Sequence, residues 1–311
     1  MVELSAPTVT AAEFDRLFES VRNWGRWGAE DQRGTLNHLT PAEVTAATAL
    51  VREGRTVSLA HDLDTRPGPD NHKPALHHMT ECADVDRGQP RINTDFVGTE
   101  FHGKSVTHLD ALCHIVYRGT VYNGVESASC VDSSGSTFGS VLTAAAGIAG
   151  RGVLIDVPHF QDIGWVEPGT ALTAEDLQRV TAAAGIELRR GDLVLIRTGA
   201  RRRRDELGAW DPHHLSAGIH PSAVPWLHAH DVAVLGADAD SDVHPSPVEG
   251  LHAPIHVLAL TAMGMPLLDN LNLEDLSRTC AELDRWEFCC VLAPLRVPGG
   301  TGSPLNPIAL F

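Results

Sequence analysis

Apolar residues at Phe14, Leu17, Phe18 and Val21 fall on one face of a helix over 10–23, where Thr10 and Glu13 supply a capping box. Thr40-Pro41-Ala42-Glu43 repeats that signature with proline at the first helical position, and predicts a second helix to about Arg52. A short strand follows at 56–60. Residues 61–95 are rich in Pro, Asp, Asn and His, and read as an extended loop with a hairpin that carries His77 and His78. Residues 137–147 predict a short helix stopped at Gly147. The second half changes rhythm. Apolar runs between turn residues predict strands at 152–156, 191–199 and 232–235, with a helix from the Thr173–Asp176 capping box to about Ala184 and another over 221–230. A helix over 256–265, a strand at 266–270, a helix capped by Asn272, a strand at 288–295 and a turn-rich tail over 299–304 complete the series. This alternation specifies an α/β fold. No repeat or low-complexity linker interrupts it, so residues 1–311 read as a single domain with an N-terminal helical arm to about 55.

One stretch concentrates the chemistry. Phe101–His114 holds His102, Lys104, His108, Asp110 and His114, separated by small or apolar residues. Run as a strand, it points His102, Lys104, His108 and Asp110 to one face. An imidazole and a carboxylate two residues apart on one face form a natural pair of ligands for a divalent cation, and His114 can turn back onto the same centre. Closing the shell takes at least one more donor; the candidates are His102, His114, His256 and Asp269, and Lys104 only if its amine, which is no ligand when protonated, loses its proton.

Composition narrows the function classes. The formal net charge of -16 argues against a nucleic-acid binder, which needs a basic footprint. No apolar run reaches the roughly 20 residues that span a bilayer, and the first residues lack the pattern of a signal peptide. The six cysteines show no CxxC spacing and read as reduced, mostly buried thiols of a cytoplasmic protein. Arg201–Arg204 reads as a solvated loop or helix start, and the acidic residues Asp238 and Asp240 follow a strand end, where α/β sheets place their sites. Trp24 and Trp27, interleaved with glycine, read as an anchor for the arm or as walls of a substrate pocket, together with His77 or His78 and the loops near His244 and His252.

Thr107-His108-Leu109-Asp110-Ala111-Leu112-Cys113-His114 resembles the HxGTHxDxPxH motif of the cyclase family that includes kynurenine formamidases and isatin hydrolases. Pro254-Ile-His256, Leu267-Leu-Asp269-Asn270-Leu271, the Trp24-Gly-Arg-Trp27-Gly opening and the Thr301–Pro307 ending are similar to the longer branch of that family, of about 300 residues. The resemblance implies a swivelling β/β/α fold and a homo-oligomer, dimer or tetramer. It assigns His108, Asp110, His256 and Asp269 to metal binding and His114 to general acid/base work. Three positions depart from the motif: Lys104 replaces its first histidine, Val106 its glycine and Leu112 its proline.

With Lys104 in that place, one ion, Mn²⁺ or Zn²⁺, is expected rather than two. Either the ammonium supplies the second positive charge, polarising a carbonyl or holding a carboxylate, or His102 substitutes as a ligand. A bound ion lowers the pKa of its water to about 7 and so provides a nucleophile at neutral pH. The expectation is therefore a metal-dependent hydrolase of a small-molecule amide, lactam or related carbonyl compound, acting on C–N bonds other than peptide bonds. Two other readings are a cyclase or dehydratase acting on a small oxygenated metabolite, and a non-catalytic metal- or small-molecule-binding relative.

Overall fold

The computed structural model describes residues 7–83 and 88–311. A nine-stranded curled sheet organises it. Its middle is parallel, with Leu193–Arg197 between Ile148–Asp156 and Val234–Ala237, and Leu267–Asp269 beyond the latter. These strands are buried on both faces, which is why they read as uninterrupted apolar runs. Both margins are antiparallel. Glu287–Leu292, Ile308–Leu310 and Thr56–Ser58 complete one side, and His108–Asp110 and Gly302–Pro304 the other.

Helices cover the faces where capping signals place them. Ala11–Ser20, Pro41–Thr48 and Ala174–Ala183 each begin with a complete capping box, at Thr10–Glu13, Thr40–Glu43 and Thr173–Asp176. The second of these ends before Arg52, and the run of four arginines lies in the helix Ala200–Leu207. The arm is clamped at both ends. Asn23 donates to the Met263 carbonyl, and the backbone N–H groups of Glu53 and Gly54 donate to the Phe311 carbonyl.

Three local expectations are corrected. Residues 101–107 are bends rather than strand; only His108–Asp110 joins the sheet. The cause is Asn270, whose side-chain amide donates to the Gly103 and Val106 carbonyls while its own carbonyl accepts from the Thr107 hydroxyl, so those backbone groups need no neighbouring strand. Residues 256–265 begin as α-helix at Pro254–His256 and continue as a fully buried π-helical turn over Val257–Met263, a geometry common beside functional sites.

The tail over 299–304, expected as loop, supplies the strand Gly302–Pro304, and Ile308–Leu310 beyond it forms a further strand. Proline is tolerated in Gly302–Pro304 because that strand lies at the sheet edge. Gly302 is required by close approach, since a Cβ there would lie 2.5 Å from the Leu109 carbonyl oxygen and 2.9 Å from the His102 ring. Gly302→Ala should therefore cost about 1–3 kcal/mol by overpacking. Urea unfolding measures this, and an unchanged midpoint would contradict the tight seating of the tail against His108–Asp110.

Candidate metal centre

Register sets the first three donors. His108 pairs directly with Asp269 across the antiparallel ladder, and Asp110 stands two residues on, so all three share a face. On the opposite face Leu109 and Leu268 join the core. His256 reaches the same point from the start of the π-helical segment. Its Nε2 lies 3.4 Å from Asp110 Oδ2 and 3.3 Å from Asp269 Oδ2. His102 arrives from the preceding bends, with Nδ1 2.8 Å from Asp110 Oδ1 and Nε2 2.9 Å from the Thr301 hydroxyl.

Surrounding groups orient the imidazoles. His108 Nδ1 lies 2.8 Å from the Val106 carbonyl, which accepts its proton and leaves Nε2 as the free donor atom, 3.5 Å from Asp110 Oδ1. His256 Nδ1 is held 2.6 Å from Asp242 Oδ2, which leaves its Nε2 facing Asp110 and Asp269. A carboxylate behind a metal-ligating histidine commonly fixes its tautomer in this way. Asp242 in turn accepts the backbone N–H groups of Ile255 and His256.

Asp110 is the anomaly. It is fully buried, yet neither carboxylate oxygen receives a hydrogen bond; the nearby imidazole nitrogens are close without being aligned to donate. Burial by itself would raise its carboxyl, but His108, His102, His256 and His114 hold it well below the usual carboxylate range. A buried charge in this position needs a cation. Two triads of possible ligands meet on it, His102/His108/Asp110 and Asp110/His256/Asp269, with the donor atoms of each triad within 4.8 Å of one another. The mixed imidazole and carboxylate set suits Zn²⁺ or Mn²⁺.

His114 stacks on His102, with ring centroids 3.8 Å apart, and lines a cavity of about 320 Å³ with the centre at its base. Burial pushes its pKa down to about 4 against the pull of Asp110, with His102, His256 and His108 adding to the decrease. The imidazole is thus neutral at neutral pH. Lys104 contacts Asp240 directly and borders both this cavity and an adjoining one lined by His61, Arg201 and Trp210. Burial lowers the ammonium pKa, while Asp269, Asp242 and Asp110 oppose that.

The structure thus gathers His102, Lys104, His108, Asp110, His114, His256 and Asp269 in one cavity, with His244 and His252 on its wall. Four expected pocket residues lie elsewhere. Trp24 Nε1 donates to the Thr261 carbonyl and its ring packs edge-on against Phe18; Trp27 packs against His38. The Trp24 indole therefore anchors the arm, and Trp27 packs within it. His77 and His78 lie on the exposed hairpin Leu76–Glu81/Thr94–Gly98, paired with Asp95 and Phe96. Sequence reasoning missed Asp242 and His213; the Asp-x-Asp spacing after the Val234–Ala237 strand was the available signal for Asp242.

The sequence signature described as "Putative cyclase" matches residues 57–244. The chain belongs to this cyclase family. The solved structure of a novel cyclase is 31% identical, with a TM-score of 0.84 over 94% of this chain and 99% of that chain. Isatin hydrolase A from Ralstonia solanacearum is 24% identical, with a TM-score of 0.59 over 87% and 97% of the two chains. The enzyme from Labrenzia aggregata, bound to benzyl benzoate, is also 24% identical, with a TM-score of 0.57 over 85% and 94%. At that identity the likeness is one of fold. No curated protein matches the chain. The curled sheet with helices on its faces is the swivelling β/β/α fold of the cyclase family. No helix among the described residues is long and apolar enough to cross a membrane.

The neutral imidazoles of this cyclase-family site carry a pH signature. His61, His114 and His244 each fall to about 4, chiefly through burial, from an ordinary 6.5. The unfolded chain binds these protons first, so the stability they contribute is complete above 6.5 and is lost as the pH falls toward 4. In metal-free protein, NMR should find all three still neutral at pH 5.5. Titration of His114 near 6.5 would contradict its burial.

Proposed function

We propose that this protein is a metal-dependent hydrolase that opens the C–N bond of a small-molecule amide, lactam or related carbonyl compound. The observation that carries this reading is the buried Asp110 carboxylate, without hydrogen bonds and ringed by imidazoles. His108, Asp110, His256 and Asp269 would hold one divalent ion, Mn²⁺ or Zn²⁺, with His102 as a further donor. Bound there, the ion would supply Lewis acidity toward a carbonyl oxygen and toward water.

This chain's own residues would do the rest. His114, neutral and facing the cavity, accepts a proton from the attacking water as oxygen adds to the carbonyl carbon. It returns that proton to the nitrogen as the C–N bond breaks, leaving an amine and a carboxylic acid that ionises by losing the water's second proton to solvent. Proton transfer of this kind is worth ~10²–10⁴-fold in rate. Lys104 faces the same cavity and gives the substrate carbonyl or a carboxylate a positive partner. Asp242 keeps His256 Nε2 turned inward.

On this reading residues 1–311 form one catalytic unit with the arm clamped to it, and the active form is a homo-oligomer. The exposed hairpin supports the latter. Leu76, Met79, Phe96 and Val97 are 46–61% exposed on its two faces, and an isolated two-stranded hairpin is marginally stable in water.

The test is carboxylate release from a panel of formamides, lactams and lactones, with and without added Mn²⁺ or Zn²⁺. Turnover should disappear with a chelator and return with the ion. His114→Ala should keep the ion and lose ~10²–10⁴-fold in kcat. Near-wild-type turnover in that variant would remove His114 from the mechanism, and metal-loaded protein releasing no carboxylate from any panel member would contradict hydrolysis. Asp242→Asn should weaken metal binding ~10–100-fold, measured by competition with a chromophoric chelator. Unchanged affinity would contradict the orienting role of Asp242.

A further inference from the structure

His256 divides the buried carboxylates into two groups. Its Nε2 faces Asp110 and Asp269, and its Nδ1 faces Asp242 at 2.6 Å and Asp240 at 3.7 Å. The Nδ1 side is itself a possible ligand set, since Asp240, Asp242 and His256 bring their donor atoms within 4.8 Å of one another. The two sides differ in how their charge is met. On the Nε2 side Asp110 has no hydrogen-bond donor. On the Nδ1 side Asp242 holds two backbone N–H groups and the imidazole. Asp240 accepts the Asp242 N–H, lies 3.0 Å from His244 Nε2, and is in direct contact with the Lys104 ammonium.

We propose that the Lys104 ammonium is a resident cation, filling the place that a second divalent ion would otherwise take beside Asp240 and Asp242. The inference rests on the metal-centre reading above and deepens it, because it sets the number of ions at one per chain. An ammonium is a compact point charge, suited to the gap between carboxylates. Lys104 enters this gap from the bends before the sheet strand and is largely buried, with only 16% of its side chain exposed. It also borders both the metal-site cavity and its neighbour, as Asp240 and Asn270 do. Truncating it would therefore leave Asp240 without a cation and Asp240 and Asp242 as neighbouring carboxylates held by hydrogen bonds alone.

Equilibrium dialysis of the full chain against Mn²⁺, with metal analysis, counts the ions. The wild type should saturate at one ion per chain and Lys104→Met at two. The second ion in Lys104→Met should bring the spin coupling of a paired Mn²⁺ centre in electron paramagnetic resonance. Adding Asp240→Asn to Lys104→Met should return the count to one. Should Lys104→Met fail to fold, Lys104→His supplies a neutral donor in its place and should also bind two. A wild type that binds two ions, or a folded Lys104 variant that still saturates at one, overturns the proposal. A wild type that binds none overturns the metal-centre reading itself, a separate result.

Discussion

A carboxylate taken out of water costs several kcal/mol unless a charge or a set of hydrogen bonds replaces the solvent. The two oxygens of Asp110 are sealed from solvent and no N–H or O–H is aligned to them, so the neighbouring imidazoles alone stand in for the lost water. The elements around it hold imidazoles in place rather than donors. The ladder fixes His108 and Asp269 opposite one another, the π-helical segment delivers His256, and the tail holds His102 through Thr301. Each contributes an electron-pair donor turned toward the same point.

That arrangement depends on polar supports one layer out. Asn270 shapes the approach of 101–107, Asp242 and the Val106 carbonyl set two imidazole tautomers, and Ser241 donates to Asp269 Oδ1 at 2.6 Å. Removing such a group leaves the ligands present but misdirected, which is how outer groups affect affinity. Lys104 and Asp240 extend the pattern: the protein's own ammonium sits directly against a buried carboxylate.

How much of this the sequence discloses follows from the physics of each element. His108 and Asp110 are legible because strand alternation puts them on one face, and the capped helices because capping is local. His256 and Asp269 were reached through family resemblance, since nothing in local spacing joins residues so far apart. The tail strand was hidden because Gly-Ser-Pro has poor strand propensity and is held only by its partner and its edge position. The bends of 101–107 were hidden because Asn270, more than 160 residues later, satisfies their carbonyls. Trp24 was legible as an anchor, but composition alone could not separate that role from a pocket wall.

The most direct measurement is the position of the ion in crystals grown with Mn²⁺, located by anomalous scattering. A single peak is expected within about 2.0–2.2 Å of an Asp110 oxygen, with His108 Nε2, His256 Nε2 and Asp269 completing its shell. No peak there, or a peak at Asp240 and Asp242 with Asp110 left unligated, would contradict the role given to the buried carboxylate.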